Sequence, residues 1–181
     1  VDSIAATITA QSSTSITFTT PAIASAGLKP ISLVFATGST LQSNAIRYYA
    51  IPTITSITPT SGTTLGGTSV QISGTNFVDI SGVTVGGQAA TSVVTNSVIR
   101  LTISTPAMSA GTYDVVVTNP GGSGTLTTAF TTLIPQTITF TSSAPSNAVA
   151  NGASYTVTAT GGASGNAVTL SSTTSGVCTL N

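Results

Sequence analysis

The side chains able to do chemistry are few and far apart. Formal charge sits only on Asp2, Lys29, Arg47, Asp79, Arg100 and Asp114; there is no glutamate, histidine or tryptophan, and Cys178 is the one cysteine. General acid–base catalysis and metal binding rely on histidine, paired carboxylates or clustered thiolates. The three aspartates lie in three different contexts with no paired spacing, and none of the many serines has a visible partner base. No catalytic residue, metal ligand or cofactor site is therefore expected, and the chain is not expected to be an enzyme. Lys29 is the only lysine and has no glutamate available, which argues against a self-formed Lys–Asn crosslink. Calcium between units would need several carboxylates, and the linkers carry none.

Three features remain. The pairs Gly66-Gly67, Gly86-Gly87 and Gly121-Gly122 are not followed by Gly-Lys-Ser/Thr or by a helix, so they read as turns needing positive φ rather than phosphate loops. Cys178 is open to three readings: a reactive thiol, a buried free cysteine, or half a disulfide with its partner outside this chain. In an extracellular setting the last is favoured. Tyr48-Tyr49 could offer an aromatic platform to a sugar, but adjacent strand positions face opposite sides, so only one could be exposed. Edge packing near a junction between units is the preferred reading. Phe77 and Phe130 read as core or staple residues.

Charge excludes further classes. Three scattered basic residues make no phosphate-tracking stripe, so a nucleic-acid partner is not expected. No apolar run approaches membrane-spanning length, so no membrane insertion is expected of this segment. A net charge of zero removes the repulsion that keeps proteins apart, and roughly a third of the residues are serine or threonine. Self-association is a real expectation, because edges without lysine or glutamate are poorly guarded.

Those residues have to be positioned by strands. Short runs of apolar–polar alternation, broken by Gly, Asn, Ser and Pro, place strands at 6–9, 15–20, 31–36 and 45–49. Further strands are expected at 53–57, 68–73, 82–85, 98–104, 112–118 and 126–133, and then at 137–141, 154–160 and 167–171. No stretch has helical periodicity. Alternation puts Val70 and Ile72 inward, aligns Tyr113, Val115 and Val117, and directs Ile99, Leu101 and Ile103 to the core with Arg100 towards solvent. The expected class is all-β: tandem immunoglobulin-like antiparallel sandwiches, one complete and two partial.

The chain also repeats itself. Phe18-Thr19-Thr20-Pro21-Ala22 returns as Ile103-Ser104-Thr105-Pro106-Ala107, and Ser25-Ala26-Gly27 as Ser109-Ala110-Gly111. Ala50-Ile51-Pro52 and Leu133-Ile134-Pro135 read as short, stiff linkers between units, because each proline fixes φ and removes a ladder donor.

The run from Pro52-Thr53-Ile54-Thr55-Ser56-Ile57-Thr58-Pro59 through Gly62, with Gly66-Gly67 and Ile72-Ser73-Gly74-Thr75-Asn76-Phe77, resembles the opening of an IPT/TIG domain. Val83-Thr84-Val85-Gly86-Gly87, Thr105-Pro106 and Val117-Thr118-Asn119-Pro120-Gly121-Gly122 extend the likeness across 51–134. Residues 1–50 resemble only the later half of that pattern and lack its glycine signature, with Asp2-Ser3 where the second unit has Gly87-Gln88. Residues 135–181 resemble the opening part of a different bacterial Ig-like repeat, through Gln136-Thr137-Ile138-Thr139-Phe140, Ser154 to Ala159 and Gly176-Val177-Cys178-Thr179. In such repeats the cysteine commonly has a partner further along its own domain.

Both ends of the chain are thus expected to fall inside a unit. The resemblance implies a secreted or bacterial cell-surface protein. The first expectation is a non-catalytic structural module of a stiff stalk or adhesive fibre, with neighbouring Ig-like modules as partners. A second is a self-assembling extracellular filament or sheath subunit, with identical subunits exchanging strands. A third is a carbohydrate-binding accessory module of a secreted hydrolase, with Tyr48 or Tyr49 contacting a surface glycan or host ligand. Fold alone does not decide among these.

Overall fold

Strands of this chain become a sandwich where two alternating faces meet. The computed structural model describes residues 1, 3–144, 146, 147, 149, 152, 154–162 and 168–171. Cys178 and Asp2, and so the expectations placed on them, lie outside the described residues. All regular structure among the described residues is β.

Strands β1 (Thr7–Gln11) and β2 (Ile16–Thr19) form one antiparallel hairpin, and β3 (Gly27–Phe35) and β4 (Gly38–Tyr48) form another. The central sandwich follows, from β5 (Thr53–Thr58), β6 (Ser61–Thr63), β7 (Ser69–Thr75), β8 (Gly82–Val85), β9 (Gln88–Ala89), β10 (Ser92–Ser97), β11 (Arg100–Ser104), β12 (Gly111–Asn119) and β13 (Gly122–Leu133). One sheet has the order β10-β11-β7-β5 and the other β6-β13-β12-β8-β9. The pairings are antiparallel except for β6, which runs parallel to β13 once the chain has crossed between sheets after the cis Thr58–Pro59 bond. A last pair, β14 (Thr139–Phe140) and β15 (Ala159–Thr160), is two residues long on each side.

The core lies wholly within 53–133. Ile57, Val70, Ile72, Leu101 and Ile103 project from the first sheet, and Val83, Val85, Val115, Val117 and Phe130 from the second. Ladder register stacks them: Ile72 lies opposite both Leu101 and Ile57, and Val115 opposite Val85. Phe77 and Met108 enter from loops and complete the cluster. Each fully buried side chain of this size contributes about 1.5–3 kcal/mol relative to exposure, which is why two facing sheets suffice. The inward placement of Val70, Ile72, Val115, Val117, Leu101 and Ile103 matches the alternation, as do the cores at Phe77 and Phe130.

Several expectations are corrected. Ile99 is not inside: it is 55% exposed, because Val98-Ile99 is the turn joining β10 to β11, and the strand begins only at Arg100. Alternation in the letters continues through a turn that the backbone does not. The carbonyls of Val98 and Ile99 instead accept from the amides of Phe77 and Gly74. Strands β6, β9 and β10 were not anticipated; the first two are too short to show periodicity, and β10 has every side chain exposed. The expected strands at 137–141 and 154–160 contract to the β14–β15 pair, and 168–171 is not strand, Ala167 being outside the described residues.

Candidate functional site

The polar groups that matter converge where β4 hands over to β5. Residues 49–52 leave the first pair of hairpins and run directly over two loops of the sandwich, Asn76 to Ser81 and the Asn119–Gly122 turn. The Asn119 amide, 4% exposed, donates to the Ala50 carbonyl at 3.0 Å and to the Asn76 carbonyl at 3.2 Å. Its own carbonyl oxygen accepts from the Gly121 amide at 2.8 Å. Asn76 donates from Nδ2 to the Ile51 carbonyl at 3.0 Å. Short amide side chains thus satisfy main-chain carbonyls of a segment that contains a buried proline, Pro52, and makes no ladder of its own.

Close packing reinforces those bonds. The glycine pairs at 66–67 and 86–87 do have positive φ, as does Gly122. Gly121 does not, which corrects the turn argument for that position. It is glycine because a Cβ there would sit 2.9 Å from Tyr49 Cβ and 3.0 Å from the Tyr49 carbonyl oxygen. Gly124 is closed in the same way by the Pro52 carbonyl.

Charge adds a third layer. The Tyr49 hydroxyl donates to Asp79 Oδ2 at 2.7 Å, and Arg47 Nε lies 3.7 Å from the same oxygen. The Arg47 guanidinium stands 6.0 Å from the Tyr49 ring centroid, within cation–π reach. The hydrogen bond to the Asp79 carboxylate, with smaller contributions from desolvation and the Asp79 charge, raises the Tyr49 phenol above its ordinary value; the Arg47 charge opposes this. Asn76 and Asp79 both adopt positive φ, the backbone state that asparagine and aspartate tolerate best. Phe77, buried between them, anchors their loop to the core.

Tyr48 and Tyr49 are both half-buried. Tyr48 turns back into the first region, its hydroxyl donating to the Pro21 carbonyl at 3.0 Å, while Tyr49 faces the sandwich. The strand ends at Tyr48, so strict alternation does not govern the pair. The cavity between them, lined by Arg47, Tyr48, Tyr49, Asn76, Val78 and Asn119, is about 60 Å³. Ligand pockets typically run to roughly 300–1,000 Å³. The place is a seam joining two parts of the chain. Sequence reasoning found Tyr48 and Tyr49 but missed Arg47, Asn76, Asp79 and Asn119. The available signal was an asparagine ending each of two strand–turn motifs, Thr75-Asn76-Phe77 and Thr118-Asn119-Pro120. Among the described residues, no group of three or more His, Cys, Asp or Glu is placed to hold a metal.

A four-stranded and a five-stranded sheet, antiparallel except for β6, packed face to face around one apolar core and closed by loops at each end, define an immunoglobulin-like sandwich. The family model for the IPT/TIG domain matches residues 52–132, and this part of the chain is an IPT/TIG domain. No curated protein sequence matches the chain. Among solved structures, it is similar to an SGBP-B from a complex xyloglucan utilization locus in Bacteroides uniformis, at 23% identity and a TM-score of 0.41, covering 65% of this chain and 32% of that one. It is also similar to the SGBP-B of the mixed-linkage glucan utilization locus of Bacteroides ovatus, at 20% identity and a TM-score of 0.38, covering 74% of this chain and 36% of that one. An auxiliary nutrient binding protein from Bacteroides thetaiotaomicron is similar at 23% identity and a TM-score of 0.39, over 50% of this chain and 23% of that one. The chain thus spans between 23% and 36% of the length of these proteins.

Proposed function

We propose that this chain is a non-catalytic structural part of a secreted or bacterial cell-surface protein, in which Ig-like units are joined stiffly so that they act as a spacer. In this reading residues 1–50 belong to one unit, 51–134 are the IPT/TIG unit, and residues from 135 onwards belong to a third. The observation that carries it is the bonded junction. Asn119 and Asn76 hold the carbonyls of Ala50 and Ile51, Gly121 leaves no space above Tyr49, and Asp79 takes the Tyr49 hydroxyl. A loose tether would carry no such fixed partners, since flexible linkers keep their backbone groups solvated.

A sugar platform at Tyr49 competes with this reading for the same side chain. The Arg47 guanidinium near its ring and the Asp79 carboxylate on its hydroxyl favour the joint.

Pulsed electron–electron resonance between spin labels tests the joint. Labels at Ser39→Cys and Ser92→Cys, in a Cys178→Ser background, are expected to give one narrow distance distribution that broadens with Asn119→Ala. A broad distribution in the unmodified joint would remove the spacer reading.

A further inference from the structure

The sandwich has four sheet edges, and three of them are guarded. Strands β6 and β9 are three and two residues long, too short to template a new strand. Strand β5 lies between Pro52 and Pro59 and carries a register shift between Ile54 and Ser56. The fourth edge, β10, has six residues, no proline, and all six side chains exposed. It lies within an uncharged stretch running from Ile80 to Ile99. Within it Val94 is 52% exposed, and in the turn that follows Val98 and Ile99 are 58% and 55% exposed. Natural sheets normally place lysine, proline or a bulge on an edge of this length, and β10 bears only an irregularity at its far end, between Thr95 and Ser97.

We propose that β10 is a self-association edge, and that its partner is β10 of a second copy of this chain, paired antiparallel about a two-fold axis through Val94. Charge selects that occupant. In this register Ser92 meets Asn96, Val93 meets Thr95 and Val94 meets its own copy, so the contact is neutral throughout. The nearest charge, Arg100, sits opposite Ser97 on β11. Antiparallel pairing sends the two copies of Arg100 to opposite ends, about 20 Å apart along the strands at ~3.4 Å per residue. That exceeds the Debye length of about 8 Å in physiological salt. Parallel pairing would bring them to the same end. The main-chain ladder supplies the affinity, and with so small an area the dimer belongs to the weak, transient class. Two four-stranded sheets would then run as one continuous eight-stranded sheet.

Sedimentation equilibrium of the full chain under reducing conditions, from about 10 µM to about 1 mM, tests this without a disulfide contributing. The weight-average mass is expected to rise from 17.7 kDa towards roughly twice that value. Val94→Lys, on the outward face opposite Thr102, is expected to reduce the dimer fraction at least about tenfold by placing two ammonium groups in the contact. Val94→Thr, neutral and β-branched, is expected to retain it. Thermal melts of both variants serve as the check on folding. A mass constant at 17.7 kDa over the whole range would overturn the proposal. So would association that Val94→Lys and Val94→Thr change equally, or that neither changes.

Discussion

Residues 1–50 and residues 53–133 are written in the same chemistry, and only one of them has a core. Both alternate Ile, Val, Leu and Phe with Thr and Ser, and both form antiparallel hairpins. In the sandwich, twelve apolar side chains form a closed cluster. In residues 1–50 no described side chain is fully buried. There the hairpins β1–β2 and β3–β4 leave between them a cleft of about 490 Å³, reached by Ile8, Phe18, Ile31 and Leu33. Alternation therefore specifies strands and their faces, whereas burial needs a second sheet with the matching layers. Hydrophobic stabilisation follows area removed from water, so the same residue types should have very different energetic weight in the two regions.

The largest expected effect tests that contrast directly. Ile72→Ala, at a site with no exposure and neighbours on both sides, is expected to cost about 3–4 kcal/mol in urea unfolding. Phe18→Ala, a larger truncation at a half-buried position beside the cleft, is expected to cost about 1 kcal/mol or less, because little area is lost. Equal costs would mean that the cleft is closed in solution, and the comparison would fail.

The seam that joins the two regions comes next. Asn119→Ala leaves the Ala50 and Asn76 carbonyls without their donor in a part-buried place, at an expected cost of about 1–3 kcal/mol. Asn119→Asp keeps the shape and an acceptor for Gly121 but cannot donate, so it should lose nearly as much. If Asn119→Asp were as stable as the wild type, the donor role would be wrong and Asn119 would matter only as a turn residue.

A smaller effect separates pattern from position. Ile99→Thr is expected to change stability by no more than about 0.5 kcal/mol, as at an ordinary surface site. Leu101→Thr, two residues on, is expected to cost over about 2 kcal/mol, since Leu101 has no exposure and its replacement buries a hydroxyl. The pair would show that the strand really starts at Arg100.

Those sites also mark how far the sequence could be read. Leu101, Ile103, Val115 and Val117 were legible because a two-residue period survives burial on one face of a paired strand. Ile99 was misread because the same period runs on through a two-residue turn, and nothing in the letters marks where the backbone reverses. Strand β10 was not visible: with all its side chains exposed it has no apolar face to declare it, and pairing with β11 alone makes it a strand. At the seam, the tyrosines were visible as aromatics, but their hydrogen-bond partners lie in loops 27 and 30 positions away, brought in by the fold and not by spacing. Asp79 illustrates the limit. As one of six scattered charges it had no context, and it acquired one only when the loop fixed by Phe77 met the end of β4.

The smallest expected effect concerns that aspartate and probes the seam from its exposed side. The Arg47–Asp79 pair is open to solvent, and such pairs contribute between nothing and about 1 kcal/mol. Tyr49 reports on the arrangement more sharply than stability does, because the phenol is held above its ordinary value chiefly by donating to Asp79. A raised value in the folded protein favours the neutral hydroxyl. Its contribution is therefore fully present below the phenol value of the unfolded chain and is lost as pH rises through the folded one. Absorbance titration at alkaline pH should show one tyrosine ionising later for this reason. Tyr49→Phe should remove that late component, and Asp79→Asn should return it towards the ordinary range. Neutral-pH unfolding should move only slightly in either variant. If the late component survived in Asp79→Asn, burial at the seam would outweigh the hydrogen bond, and the joint would owe more to packing around Gly121 than to this polar contact.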